Sequence, residues 1–200
     1  MNLTGITEFD EVLVKHFLDS LCCVKAVDMG KIKTVMDIGT GAGFPGVPLK
    51  IAFPEVEACL LDSLNKRVKF LEETFALLGL EGISAIHGRA EEYAKNKVYR
   101  EKYDLCVSRA VSGLATLSEY CLPYVKVGGL FVSYKSGSVK EEAEAAEKAV
   151  KILGGKIRDI QYFDLPGSEI GRSLVIIEKV KNTPGKYPRK AGTPLREPLA

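Results

Sequence analysis

Two hundred residues with 46% apolar side chains suit a single globular domain with a full core and exclude wholesale disorder. No apolar run reaches the length of a membrane span, and the opening Met-Asn-Leu-Thr has no signal-peptide pattern. The net charge of +2 is unevenly spread: from Lys179 onward there are six Lys or Arg and one Glu, a basic tail on a mildly acidic body, which points to an anionic partner.

Taken in order, the chain first predicts an amphipathic helix over residues 7–24, packed on the domain. Phe9, Val12, Leu13, His16, Phe17, Leu21 and Val24 fall on one face at helical spacing, and Thr7 with Asp10 resembles a capping box. His16, Asp19 and Ser20 lie too close together on one helix to form a hydrolase triad, so His16 reads as a packed, hydrogen-bonded side chain. Thr34 to Ile38 is a short β-branched and apolar run ending beside an acid, which reads as a buried strand.

Gly39, Gly41 and Gly43 follow at every second position and let the backbone turn tightly against a ligand. A short helix over Val47 to Ala52, flagged by Pro45 and Pro48, completes the first unit of a nucleotide-binding α/β sheet. Gly41-x-Gly43-x-x-Gly46 formally matches a dinucleotide fingerprint, but the strand-closing role falls to Gly39, and the sixth position from there is Phe44. Asp37-x-Gly-x-Gly-x-Gly instead resembles motif I of methyltransferases that use S-adenosylmethionine.

Glu57 to Asp62 is the second strand. It places Asp62 about 20 residues past the first glycines, where a carboxylate accepts ribose hydroxyls. Capping of the next helix, Lys66 to Leu78, is the other reading of Asp62. The third strand is Ile83 to His87. An acid beyond it, near Ala90 and Glu91, either reads an adenine edge or favours the start of a helix. Tyr103 to Ser108 is the fourth strand, and Arg109 at its carboxyl end should point into the site.

A helix over Ser112 to Tyr124, a strand over Gly129 to Lys135 and a charged helix over Val139 to Leu153 come next. Lys156 to Leu165 and Ser173 to Lys179 close the fold as an antiparallel edge pair. The expected fold is a Rossmann-like α/β domain of the class I methyltransferase type, with a mostly parallel seven-stranded sheet, an antiparallel edge hairpin and helices on both faces.

Residues 1–181 form that domain, and residues 182–200 form a Pro-rich basic arm. The arm's prolines at 184, 188 and 194 argue against a helix, so it is expected to be extended, displaying Lys186, Arg189 and Lys190 around Tyr187 for phosphates and a stacked base. A solvated terminus is the alternative. Lys135, Arg172 and the N-terminal helix are the other candidate RNA surface. Five cysteines without C-x-x-C spacing argue against a disulfide framework or a zinc site, so no metal and reduced, cytoplasmic thiols are expected.

The atom that accepts the methyl group is narrowed by what is missing. The Asp/Asn-Pro-Pro-aromatic loop of enzymes that methylate amino groups on bases is replaced by Ser108-Arg-Ala-Val111. Cys106 lies inside a strand, as a small buried thiol rather than a ring-attacking nucleophile. Guanine N7 has an in-plane lone pair and no proton to lose, so it needs alignment and no general base.

Asn2-Leu-Thr, His16-Phe-Leu-Asp-Ser20, Asp37-Ile-Gly-Thr-Gly-Ala-Gly-Phe-Pro-Gly46, Leu61-Asp-Ser-Leu-Asn-Lys-Arg67, Ser108-Arg-Ala110 and the Tyr187-Pro-Arg-Lys tail resemble the RsmG (GidB) family. The resemblance covers essentially the whole chain. It implies a 16S ribosomal RNA guanine-N7 methyltransferase acting in the cytoplasm, with S-adenosylmethionine as cofactor and contacts to it at Gly39, Phe44, Ala90, Glu91 and Arg109. A monomer that positions its substrate without a general base is expected, Arg109 being the positioning residue. Family members usually carry several tens of helical residues ahead of the Asn-Leu-Thr segment, with which this chain opens. A cofactor-dependent RNA-binding module without turnover and a small-molecule methyltransferase are the competing readings, and the basic tail argues against the latter.

Overall fold

The computed structural model describes residues 8–199. Thr7 of the expected capping box and the Asn2-Leu-Thr segment lie outside the described residues. The described chain opens as one continuous helical stretch. It is α-helical over Phe9–Val12 (α1), a π-helix over Leu13–Leu18, α-helical over Asp19–Leu21 (α2) and a 3-10 helix over Cys22–Lys25.

Seven strands then form one sheet in the order β3-β2-β1-β4-β5-β7-β6. They are β1 (Thr34–Ile38), β2 (Glu57–Asp62), β3 (Ile83–His87), β4 (Tyr103–Arg109), β5 (Val125–Ser136), β6 (Gly155–Asp164) and β7 (Gly171–Lys179). β1 pairs in parallel with both β2 and β4, while β7 pairs antiparallel with both β5 and β6. The sequence explains the parallel part: Val35 to Ile38 and Ala58 to Asp62 are buried without a break, the pattern of strands covered on both faces. Helices α3 (Gly46–Ala52), α4 (Asn65–Leu78), α5 (Ala90–Tyr93), α6 (Leu114–Cys121) and α7 (Lys140–Ile152) supply that cover.

Side chains alternate between two cores. Met36, Ile38, Cys106 and Phe131 pack with Leu117, Ala146 and Val150 on one face. Val35, Leu105, Val107 and Val132 pack with Cys23, Val27 and Leu49 on the other. The chain winds outward from β1 through β2 to β3 and then restarts at β4, so the strand order reverses between β1 and β4. Ligands of open α/β sheets bind beyond the carboxyl ends of the strands at such a reversal.

β5 begins four residues earlier than the sequence indicates. Gly128 has φ of 85°, and a side chain at Gly129 would lie 2.7 Å from the Asp104 carbonyl oxygen. The glycine pair lets the strand bend and resume pairing with β4, where the register shifts between Tyr103 and Leu105.

The N-terminal helix presents a different face from the one its apolar spacing implies. Phe9 is 74% exposed, and Leu13, Phe17 and Val24 are also exposed, whereas Asp19, Ser20, Cys22 and Cys23 are buried. Two causes are visible. The π segment over Leu13–Leu18 breaks the 3.6-residue phase on which the reading depends. Polar anchors then fix the inner face: Tyr134 Oη donates to the Ser20 carbonyl at 2.7 Å, and Asp19 binds two arginines.

The C-terminal segment is packed on the domain rather than extended. The Arg100 guanidinium donates to the carbonyls of Thr183 and Tyr187, and the Tyr187 ring is buried, so it does not offer a face for stacking. Arg189 makes a bidentate pair with Glu119, whose side chain is fully buried in α6. A buried carboxylate requires such a partner, and this requirement draws the tail inward. Pro194 does not prevent a helical turn but opens one, α8 (Thr193–Arg196), where a missing N–H costs nothing. Lys186 and Lys190 remain exposed.

Removing the guanidinium strands the Glu119 charge in the core. Arg189→Ala is expected to lower unfolding free energy by about 2 kcal/mol, less than a wholly buried pair because Arg189 is partly exposed. Urea denaturation checks this, and an unchanged midpoint would show that the pair does not hold the tail.

Candidate functional site

The loop from β1 to α3 is built around Asp37. This carboxylate is fully buried, and its Oδ2 accepts the Thr40 hydroxyl at 2.7 Å and the Gly46 N–H at 2.9 Å. A side chain at Gly46 would lie 2.8 Å from that same oxygen, so only glycine fits there. Gly39, Gly41 and Gly43 all have positive φ, the conformation that L side chains resist. Nothing lies within 4 Å of where a Gly41 side chain would be, so the loop presents open backbone to the site.

Asp62, at the end of β2, faces this loop. Its Oδ2 accepts the Gly41 N–H and its Oδ1 the Leu64 N–H, both at 2.9 Å, and Arg67 pairs with it at 3.2 Å. The two readings of Asp62 therefore meet in one side chain, which steadies the approach to α4 and touches the glycine loop. Beyond β3, Ala90 and Glu91 open α5. The Ala90 carbonyl accepts the Tyr124 hydroxyl, and Glu91 Oε1 accepts the Gly192 N–H of the tail at 2.8 Å. That carboxylate oxygen is committed to the tail rather than to a base edge.

β4 ends in Arg109, followed by Ala110 with φ of 57°, an uncommon conformation that turns the chain sharply. The Arg109 guanidinium donates to Asp19 Oδ2 at 3.1 Å and lies over the Phe44 ring at 5.4 Å. His16 stacks on the other partner of that cluster, with ring centroids of His16 and Phe44 5.0 Å apart. Burial, and then the Arg109 charge, lower the His16 pKa, so its ring is neutral at pH 7. Asp19 also accepts from Arg172 Nε at 3.1 Å, and Lys135 Nζ pairs with Glu142 at 2.7 Å.

Two cavities meet at this end of the sheet. A small one, of about 190 Å³, is lined by Gly39, Leu61, Ser63, Ala90, Glu91 and Leu195, among others. A larger one, of about 570 Å³, is lined by Lys15, Asp19, Arg109, Lys135 and Arg172, among others. Val111 and Ser112 line both, so the loop after β4 is a shared wall. Sequence reasoning thus located the glycine loop, Phe44, Asp62, Ala90, Glu91 and Arg109 at one end of the sheet, with Lys135 and Arg172 on the larger cavity. The structure puts none of the expected RNA-binding tail residues Lys186, Tyr187, Arg189 and Lys190 on either cavity, and sequence reasoning missed Val111, Leu195 and the role of Asp19. For Asp19 no local signal exists, because its arginine partners lie 90 and 153 residues away in sequence.

The residues fit an S-adenosyl ligand. Asp37 Oδ1 is buried without a hydrogen-bond partner beside a loop that offers open backbone, which is the environment for a ligand cation.

A family model described as rRNA small subunit methyltransferase G, GidB, matches residues 1–170. Ribosomal RNA small subunit methyltransferase G of Lachnoclostridium phytofermentans is 55% identical, over all of this chain and 82% of the relative. The protein of the same name from Alkaliphilus metalliredigens is 53% identical, over all of this chain and 83% of the relative. Among solved structures, a SAM-dependent O-methyltransferase from Thermotoga maritima superimposes with a TM-score of 0.62 at 14% identity, over 90% of this chain and 68% of that one. TrmN from Thermus thermophilus gives a TM-score of 0.59 at 16% identity, over 80% and 48%. These two likenesses establish the methyltransferase fold.

Burial raises the Asp37 pKa from 3.8 to about 6, against the opposing hydrogen bonds from Thr40 and Gly46. Between these values the folded chain holds a proton that the unfolded chain has lost. The contribution of this group to stability is therefore full below about pH 4 and lost as pH rises through about 6. Relative to Asp37→Asn, which cannot ionise, the unfolding free energy of the ligand-free protein should fall by up to roughly 3 kcal/mol across that window. Parallel pH profiles of the two proteins would show that Asp37 is already ionised within the fold.

Proposed function

This chain belongs to the GidB family of small-subunit ribosomal RNA methyltransferases, and from that membership we infer that it methylates N7 of one guanine in 16S ribosomal RNA. It is an S-adenosylmethionine-dependent methyltransferase. The observation that carries the finer reading is the pair of cavities joined at Val111 and Ser112, one against the glycine loop and one ringed by cations.

Gly39, Gly41, Gly43 and Phe44 would cradle the cofactor, Asp62 would accept its ribose hydroxyls, and Ala90 and Glu91 would border its adenine. Asp37 Oδ1 would face the methionine ammonium. When bound, the cofactor supplies an electrophilic methyl group on a sulfonium. Arg109, held by Asp19 and the Phe44 ring, sets the boundary between that group and the acceptor. Its planar fork suits the methionine carboxylate, where a cation is attractive rather than repulsive.

The larger cavity takes the acceptor base. Lys15, Arg109, Lys135 and Arg172 outnumber the three carboxylates that pair with them, Glu11, Asp19 and Glu142, and favour a polyanionic substrate. The exposed Lys186 and Lys190 would extend this basic surface along the RNA backbone. N7 presents a lone pair and no proton, so alignment at 3–3.5 Å does most of what the site must do. Neutral His16 adds no charge against the purinium that forms. No helix among the described residues is long and apolar enough to cross a membrane, and a ribosomal substrate supports the cytoplasm as the place of work.

Incubation of small-subunit RNA with the protein and S-adenosylmethionine, followed by mapping of N7-methylguanine through strand scission, tests this reading. One new site is expected. Methyl transfer to an exocyclic amine or a ring carbon would overturn the assignment of N7, and RNA binding without transfer would favour a non-catalytic module.

A further inference from the structure

The C-terminal tail reaches the small cavity by a sequence of contacts that hold its path closely. Arg189 is clamped to buried Glu119 of α6, and its NH2 group also donates to the Glu197 carbonyl. The Gly192 N–H donates to Glu91 Oε1, and Thr116 Oγ1 donates to the Pro194 carbonyl at 3.0 Å. Between these anchors lies Leu195, on the one-turn helix α8. It lines the cavity that also contains Gly39, Leu61, Ala90 and Glu91, yet its side chain is 61% exposed.

An apolar side chain held at the mouth of a cavity by polar anchors on both sides has a reason to be there if something apolar covers it. We propose that Leu195 is a wall of the adenine pocket, so that the tail completes the cofactor site rather than serving mainly as an RNA arm. This rests on reading the small cavity as the adenosine site. An adenine held between Ala90 and Leu195 would have apolar contact on its flat face. Glu91 would meanwhile serve the pocket from behind, by fixing Gly192 and therefore the register of the tail. The contacts are made to backbone at Gly192, Pro194 and Glu197, and Gly192 itself turns the tail with φ of 83°, a conformation that favours glycine.

Calorimetric titration of S-adenosylhomocysteine into the full chain tests the proposal, using wild type, Leu195→Ala, Leu195→Asp and, as a control on the same tail, exposed Asn182→Ala. Loss of partial leucine burial on the order of 1 kcal/mol converts to about a fivefold weaker affinity for Leu195→Ala, with a larger loss for Leu195→Asp. Asn182→Ala should bind as wild type does. Because Leu195 is largely exposed, ligand-free melting temperatures should be the same in all four proteins. Wild-type affinity in both Leu195 variants would overturn the proposal, as would a fall in their ligand-free melting temperature that accounts for the weaker binding. Failure of wild type itself to bind S-adenosylhomocysteine would overturn the cofactor reading on which the proposal stands.

Discussion

A carboxylate buried in the centre of the sheet determines the shape of the loop on which everything else depends. Asp37 Oδ2 draws together the Thr40 hydroxyl and the Gly46 N–H, from the two ends of the β1–α3 turn. Burying an acid there is costly and lifts its pKa to about 6, so the fold retains the group against a real penalty. Around it the glycines follow from space. A side chain at Gly39 would lie 2.5 Å from Val111, one at Gly43 would lie 2.6 Å from Val47, and one at Gly46 would collide with Asp37 itself. Gly41 is the exception, since its side-chain direction is open and its N–H is held by Asp62. The loop is thus fixed on its inner side and bare on its outer side.

A second buried acid organises the larger cavity. Asp19 accepts from Arg109 and Arg172 through separate oxygens, joining the N-terminal helix to the ends of β4 and β7. One carboxylate between two guanidiniums leaves the cavity cationic while keeping each guanidinium oriented. Ser108, just inside β4, donates to the Ile38 carbonyl and fixes the end of β4 against β1, so the two cavities keep a common wall. On the proposed reading the two cavities hold electrophile and acceptor on either side of one wall, as direct methyl transfer requires.

Most of this was legible in the sequence where local chemistry alone decides the outcome. The bounds of β1, β2 and β3 follow from short apolar runs that tertiary packing has no reason to override. The glycine loop, Asp62 and Arg109 follow from the same logic, because strand ends in parallel sheets converge. The N-terminal helix did not follow, because a π segment rotates its faces and because Asp19 and Ser20 are buried for their polar partners rather than for their hydrophobicity. The tail did not follow either. Its basic and proline-rich composition describes an exposed arm, and only the location of Glu119, 70 residues away in sequence, reveals that Arg189 is half of an internal pair. Leu195 carries no local signal at all, since its position depends on that pair.

The central claim is that the loop held by Asp37, together with Asp62 and the ends of β1 to β4, forms the cofactor site. A crystal structure of the chain with S-adenosylhomocysteine tests it most directly. The adenosine should lie over Gly41 with its ribose on Asp62 and its base in the small cavity, and the amino acid end should turn toward Asp37 and Arg109. A ligand found away from the carboxyl ends of β1 and β2, with the Asp37 Oδ1 environment unchanged, would contradict it.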